Sequence, residues 1–254
     1  MSPLPISVLL LARDEAARLD ALLPSLSFAR ERVVVVDTAS RDATREVAAR
    51  HGARVVERAL DGFGPQRQFA LANCSEPWVL WIDADERLVP GAERELATAI
   101  MTDAAAGYTL RRRTWFLGRP IRFCGWQGER VLRLFRRDVA RFDDAPVHEQ
   151  VHVTGRIVPL PLTLEHDSYP TFEECKRKLF AYAAANAERA RREGRRASAL
   201  DVLVRPPLRF LRMYVFQLGV LDGARGVLVC ALGAAQVLLK YADLWARGHT
   251  VDRH

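Results

Sequence analysis

Lysine is nearly missing from these 254 residues. It occurs only at Lys176, Lys178 and Lys240, so the net charge of +7 rests on arginine. A guanidinium grips phosphates and carboxylates through two parallel hydrogen bonds, which an ammonium cannot do. The excess suits a phosphorylated ligand, an anionic membrane surface or nucleic acid. Cysteine is scarce as well. Cys74, Cys124, Cys175 and Cys230 have neither metal-knuckle nor redox spacing, which points to reduced thiols in a cytosolic protein. No Gly-x-Gly-x-x-Gly follows the first apolar run and no Gly-Lys-Ser/Thr occurs, which argues against dinucleotide oxidoreductases and P-loop enzymes. The uncharged run Gly226 to Leu239 has only 14 residues, short of the ~20 that cross a bilayer. It is expected to be interfacial, re-entrant or buried. There is no internal repeat and no low-complexity segment. The opening Met-Ser-Pro-Leu-Pro lacks the basic start and cleavage site of a signal peptide.

What is present is apolar and orderly. Hydrophobic residues make up 49% of the chain, enough for one large domain, or a domain with an appendage. Ile6–Ala12, Val33–Val36, Arg54–Glu57 and Trp78–Ile82 are short apolar runs that fit buried strands. Between them, Glu15–Leu23, the stretch from Thr44 to about Arg50 and Gln66–Ala72 fit helices. Pro65 stands at the first position of the last of these, and Gly52 closes the second. This β-α-β-α-β-α-β order predicts a doubly wound, mostly parallel sheet. In such sheets ligands bind beyond the carboxyl ends of the strands. Asp14 and Glu15, Asp37, and Asp83 with Asp85 all fall there. Asp37 and Asp42 also suit helix capping. Two carboxylates spaced i, i+2 on extended chain point different ways, so one can hold a divalent cation while the other meets a neighbouring ligand group. Hard oxygen ligands suit Mg²⁺ or Mn²⁺ accompanied by substrate phosphates.

Leu9-Leu-Leu-Ala-Arg-Asp-Glu15, Val35-Val-Asp-Thr-Ala-Ser-Arg-Asp-Ala-Thr44, Gly64-Pro-Gln-Arg-Gln-Phe-Ala70 and Asp83-Ala-Asp85 together resemble family 2 glycosyltransferases. The match departs from many members at Thr38-Ala39. The resemblance implies the GT-A fold, a Rossmann-like mixed, mostly parallel sheet with flanking helices, and a nucleotide-sugar donor. It would place Asp37 on the base, Asp14 and Glu15 near the nucleoside, and Arg67 at the base or phosphates. Asp83 would contact the ribose or a metal-bound water, and Asp85 would ligate the metal.

Farther on, the stretch Arg111 to Arg137 holds nine arginines and a single acid, Glu129, interleaved with Trp115, Phe116, Phe123 and Trp126. The pattern suits nucleic acid, the acceptor side of a sugar-transferring enzyme, or simply solvated hairpin arginines. Val147-His-Glu149 offers a carboxylate able to take a proton from an acceptor hydroxyl. His166 can complete a metal shell begun by a carboxylate. Trp126-x-Gly128, Arg130-x-x-Arg133-Leu-Phe135, Val147-His-Glu149 and His166-x-Ser-Tyr169 resemble the subgroup of lipopolysaccharide-core β-glucosyltransferases. That resemblance implies Glu149 as base, His166 as second metal ligand, and Trp126, Arg130, Arg133 and His148 at the acceptor. The rival arrangement puts His148 at the metal or Asp143 or Asp144 as base.

The expected organisation is a catalytic domain over residues 1–168 and a helical region over 169–254. In the tail, a helix from Phe172 to Arg192, one from Arg195 to Arg205, and a third opened by Pro206-Pro207 and running to Leu221 are expected. Arg205, Arg209 and Arg212 beside Phe210, Tyr214 and Phe216 suit an anionic membrane surface. The alternative is helices packed on the catalytic domain or on a second copy. The function expected is a metal-dependent, inverting transfer of a hexose, from UDP-glucose or a related UDP-sugar, to a lipopolysaccharide-core or related glycolipid, peripherally at the cytoplasmic face of a bacterial inner membrane. The alternatives are a polyprenyl-phosphate acceptor, whose oxygen is already ionised, and an arginine-rich nucleic-acid-binding protein. The second leaves the aligned strand-end acids unexplained, so no nucleic acid is expected.

Overall fold

The fold is taken from a computed structural model, in which residues 2–102, 104–143 and 150–249 are described. Two compact units emerge: residues 1–112 with 128–166, and residues 113–127 with 167–254.

In the first unit the chain runs β1 (Leu4–Ala12), α1 (Ala16–Leu22), β2 (Ala29–Asp37), α2 (Thr44–Arg50), β3 (Arg54–Arg58), α3 (Phe63–Ala72), β4 (Trp78–Trp81), β5 (Glu86–Leu88) and α4 (Ala92–Thr102). It continues through β6 (Gly107–Phe116), β7 (Arg119–Pro120), β8 (Arg130–Arg136), β9 (Ala140–Phe142), β10 (Val151–Val153) and β11 (Ile157–Tyr169), of which β7 and the ends of β6 and β11 beyond Arg112 and His166 fall in the second unit. The main sheet has the order β3-β2-β1-β4-β8-β6-β11-β5, with β7 on β6. The ribbon β9–β10 stands apart. Pairing is parallel from β3 to β4 and turns antiparallel where β8 joins β4.

The strands are apolar on both faces because both faces are covered. Ile6, Val8, Leu10, Val34, Val36 and Leu80 pack with Leu19 and Leu22 of α1 and Leu96 of α4. The alternate residues Leu9, Val33, Val35 and Val79 pack with Ala70 and Leu71 of α3. Each such side chain contributes about 1.5–3 kcal/mol on burial, so a one-residue slip of register would be costly. That locked register matters for function. Ala12 lies opposite Val36 and Leu9 opposite Trp81, so β1, β2 and β4 all release the chain at one edge. On the far side, β11 pairs antiparallel with β5 and sets His166 opposite Glu86.

Helix α3 starts at Phe63, two residues before Pro65 and not at Gln66 as expected. Its N-cap is Gly62, at φ 140°. The turn-like Gly-Phe-Gly-Pro stretch is the first helical turn, where backbone N–H groups have no partner inside the helix and proline loses nothing.

The second unit holds α5 (Phe172–Arg192), α6 (Ala199–Leu211) and α7 (Gly223–His249). Thr171 caps α5 by accepting from the Glu174 N–H, and Ser198 and Asp201 form a reciprocal capping box on α6. Pro206 and Pro207, expected to open a new helix, lie inside α6. Each removes one helical hydrogen bond. The helix continues because Pro206 is buried and Met213 anchors the far end in a core with Val229 and Cys230. The strain is released beyond Leu211 as a π-type turn over Arg212–Phe216 and a left-handed Leu218. The 14-residue uncharged run is the middle of the 27-residue α7, which by length and composition is sufficient to cross a membrane.

Candidate active site

The loop after β1 and the loop after β2 are clipped together by polar side chains. The Asp14 N–H donates to Ser40 Oγ at 2.8 Å, and Asp14 Oδ1 accepts from the Arg41 N–H at 2.7 Å. Asp14 holds a left-handed backbone, φ 53°, to do so. Glu15 N–H donates to Thr44 Oγ1 at 2.9 Å. Asp42 accepts from the Ala16 and Thr44 N–H groups, both at 3.0 Å, capping the starts of α1 and α2 at once. Asp42 thus plays the capping role its sequence position suggested.

Asp37 is different. It is 5% exposed. Its Oδ1 accepts from the Ala39 N–H at 3.0 Å. Its Oδ2 is buried with no hydrogen-bond partner, with Arg13 Nη1 3.4 Å away as a partly exposed counter-ion. A buried carboxylate oxygen without a donor is uncommon and offers an acceptor to a ligand N–H.

Beyond β4 the acids are sorted by arginine. Arg133 Nη2 donates to Asp83 Oδ2 at 2.9 Å and to Glu86 Oε1 at 2.6 Å. Arg67 Nη2 and Trp81 Nε1 both donate to Asp83 Oδ1, at 3.3 and 3.1 Å. Both guanidiniums lie over the Trp81 ring, 4.2 Å from its centroid for Arg67 and 4.1 Å for Arg133. Burial pushes the Asp83 carboxyl up, but the charges of Arg133 and Arg67 outweigh it and hold the group below the usual range. At Glu86, 0% exposed, burial prevails over Arg133 and the carboxyl is pushed up. Arg133, expected at the acceptor, is instead buried beneath these two carboxylates, which share its Nη2.

Asp85 turns the other way. Its Oδ2 lies 3.4 Å from His166 Nε2, and both side chains are partly accessible. His166 Nδ1 is buried without a hydrogen-bond partner. One carboxylate and one imidazole side by side suit a divalent cation. Among the described residues no group of three or more His, Cys, Asp or Glu side chains comes together. The pair would hold a divalent cation in an open site, not a closed protein cage.

Arg130 is spent on structure, donating to Thr109 Oγ1 and to the Thr109 and Leu160 carbonyls. Trp126 belongs to the second unit, where its ring stacks on Tyr169 with centroids 6.0 Å apart. Glu149, His148 and Asp144 lie outside the described residues. Asp143 accepts from the Gln150 N–H at 3.1 Å and lies 3.3 Å from His152. Of the nine arginines between 111 and 137, five are engaged within the first unit: Arg112 by Glu129, Arg130 and Arg133 as above, Arg136 over Trp78, and Arg137 by the Cys74 carbonyl. Trp81, Glu86 and Arg13 were not singled out from sequence. Glu86, three residues after Asp83 at the turn closed by its own N–H to the Asp83 carbonyl at 2.9 Å, is the one whose spacing carried a signal.

A family model described as glycosyl transferase family 2 matches residues 7–151. The chain belongs to glycosyltransferase family 2. It is similar to the lipopolysaccharide core biosynthesis glycosyltransferase LpsC of Rhizobium meliloti (strain 1021), 30% identical over 254 residues, covering 96% of this chain and 93% of that protein. It is 25% identical to the uncharacterized glycosyltransferase RP128 of Rickettsia prowazekii, over 94% of this chain and 86% of the relative. Among solved structures, residues 1–349 of S. aureus TarS align with a TM-score of 0.48 at 14% identity, over 100% of this chain and 93% of that one. The glucosyl-3-phosphoglycerate synthase of Mycobacterium tuberculosis, solved with Mn²⁺, UDP and glucosyl-3-phosphoglycerate, aligns at 0.37 and 21% identity over 53% and 57%. As in the GT-A fold of this glycosyltransferase family, the sheet is mixed, with helices on both faces and its acids gathered at one edge.

Proposed function

We propose that this family 2 enzyme is a metal-dependent, inverting hexosyltransferase that uses a UDP-sugar, glucose being the favoured hexose, and acts on a lipopolysaccharide-core or related glycolipid glycan. The observation that carries the reading is the Asp85–His166 pair at the same sheet edge as the unpartnered oxygen of Asp37. The similarity to the lipopolysaccharide core biosynthesis glycosyltransferase LpsC supports the acceptor class.

Asp37 Oδ2 accepts the imide N–H of the uracil ring, satisfying an oxygen the fold leaves open. Asp14 and Glu15 wall the nucleoside, held in place by Ser40, Arg41 and Thr44. Asp83 meets the ribose through whatever capacity Arg133, Arg67 and Trp81 leave it, and Arg67 also offers charge towards the phosphates. Asp85 and His166 would hold Mg²⁺ or Mn²⁺, which neutralises charge on the departing nucleoside diphosphate when bound. Arg133 acts as a positioning residue, fixing the loop that aims Asp85. Glu149 takes the proton from the acceptor hydroxyl. The acceptor oxygen forms its bond to the anomeric carbon as the bond to the diphosphate oxygen breaks on the opposite face. One base and no protein nucleophile give inversion. Residues 1–168 carry the transfer and residues 169–254 serve the acceptor's surroundings, on the cytoplasmic side where nucleotide sugars are made.

Calorimetry with UDP, GDP, ADP and CDP, with and without Mn²⁺, tests this. The expected result is UDP binding that requires Mn²⁺ and disappears in Asp85→Ala. Binding of no nucleotide by a folded protein would end the proposal.

A further inference from the structure

Helix α6 carries its apolar residues on the wrong side for a helix of a self-contained unit. Leu200, Leu203, Val204, Leu208, Leu211 and Val215 recur at three- and four-residue spacing along one face, and all are exposed, Leu203 by 72% and Leu208 by 57%. Phe216, at the end of the π-type turn, is 76% exposed. The opposite face is the one that packs inward, through Pro206 and Met213. The aromatics that looked membrane-facing in the sequence behave otherwise: Phe210 and Tyr214 pack on the core of the second unit and stack on each other at 5.3 Å. Scattered exposed leucines need no explanation, but a contiguous stripe does.

We infer that this face of α6, with the turn through Phe216, is an in-plane docking surface for an anionic lipid bilayer. The occupant is chosen by charge. Arg212 flanks the stripe, exposed and, among the described residues, without an ion pair, whereas Arg209 lies on the inward side, lining a pocket with Met213 and Val229. An apolar stripe edged by an unpaired cation, on a chain of net charge +7, matches the boundary between acyl chains and acidic headgroups. Helix α7, although long and apolar enough to span, gives Val229, Cys230 and Leu244 to the cores of its own unit. Its Gly233 lies so close to Met213 that an added Cβ would fall 2.7 Å from the sulfur. Helix α7 thus packs one face on its own unit, and the carbonate arm of the test separates a surface-lying α6 from a spanning α7. This inference does not depend on the donor or acceptor assigned above.

The test is co-sedimentation of the full chain with vesicles of phosphatidylcholine alone or with about one-third phosphatidylglycerol. Binding is expected only to the anionic vesicles, weakened by salt and released by alkaline carbonate. Leu203→Glu/Leu208→Glu should lower it about 100-fold, and Arg212→Glu several-fold, with UDP binding unchanged. If the double variant folds poorly, Leu203→Cys carrying a polarity-sensitive fluorophore should shift to the blue on anionic vesicles. Failure to sediment, equal binding by the double variant, or no shift of the probe would overturn the inference. So would resistance to carbonate, which would make α7 a span, or loss of a concentration-dependent dimer in the double variant with vesicle binding intact.

Discussion

Replacing Arg133 by methionine tests the central claim about the acids beyond β4. The guanidinium is buried, and its Nη2 is shared between Asp83 Oδ2 and Glu86 Oε1 at 2.9 and 2.6 Å. Methionine keeps the length and apolar body but removes the charge, leaving a fully buried Glu86 without its counter-ion. Removing one partner of a buried pair costs about 3–5 kcal/mol, most of it from the charge left behind. For a chain of this size each kcal/mol lowers Tm by about 2–4 °C, so a fall of roughly 6–20 °C is expected by differential scanning calorimetry without nucleotide. Because the penalty belongs to the orphaned carboxylate, Glu86→Gln in the same chain should recover about half of it or more. Trp81 supplies an internal check: with the Arg133 cation gone from 4.1 Å over its ring, its fluorescence should change in the folded state. A Tm within about 2 °C of the parent, or a double variant no better than the single one, would refute the sorting of these acids by Arg133.

Further outcomes follow from the same geometry. Asp37→Asn should raise the Kd for UDP by about 10- to 100-fold, as expected for losing a hydrogen bond to a charged acceptor, while the apparent affinity for Mn²⁺ changes little; calorimetry reads both. His166→Ala should weaken Mn²⁺-dependent UDP binding by about 10-fold or more while Tm without metal stays near the parent value. Glu149→Gln should lower kcat by about 10²–10⁴ with donor binding intact; near-parent turnover would point instead to an acceptor already ionised, such as a polyprenyl phosphate. In the α6 capping box, the Ser198 backbone N–H and then Arg205 hold the Asp201 carboxyl down to about 2. Its folded value lies below its unfolded one, so its contribution is complete above the ordinary carboxylate range and is lost as pH falls towards about 2. Helicity by circular dichroism should show that acid loss in the parent and not in Asp201→Asn.

Much of the first unit was legible because its strands are buried on both faces. Val33–Val36 has no reading other than a covered strand, and an acid after each such strand falls at the ligand edge by topology alone. The Asp85–His166 approach was less visible. It depends on β11 pairing with β5 so that His166 stands opposite Glu86, a contact across some eighty residues that local periodicity cannot register. Arg133 was misjudged for a related reason. In the sequence it is one arginine among nine, and only the β4–β8 pairing, with Leu80 opposite Leu134, carries it under the Asp83 loop. Pro206-Pro207 misled because proline normally opens a helix. Here the packing of its neighbours outweighed two missing hydrogen bonds, and the boundary moved to Leu211.

Three acids within four residues cannot all be charged and buried at the end of one strand, and the fold resolves the conflict by giving each a different environment. Glu86 goes wholly inside, where burial pushes its carboxyl up and Arg133, with the Asp83 N–H and His166, offsets part of the cost. Asp83 stays ionised because two guanidiniums and the Trp81 N–H surround it. Asp85, between them in sequence, turns outward to His166. On this view the arginines serve the metal indirectly. By taking up the charge of Asp83 and Glu86, they would leave Asp85, beside His166, as the carboxylate proposed to meet a cation. An Asp-x-Asp-Glu run without an arginine at the position of Arg133 on the neighbouring strand would face self-repulsion that lowers stability before any nucleotide arrives. In the proposed site, the residue that keeps these acids compatible is thus the buried Arg133.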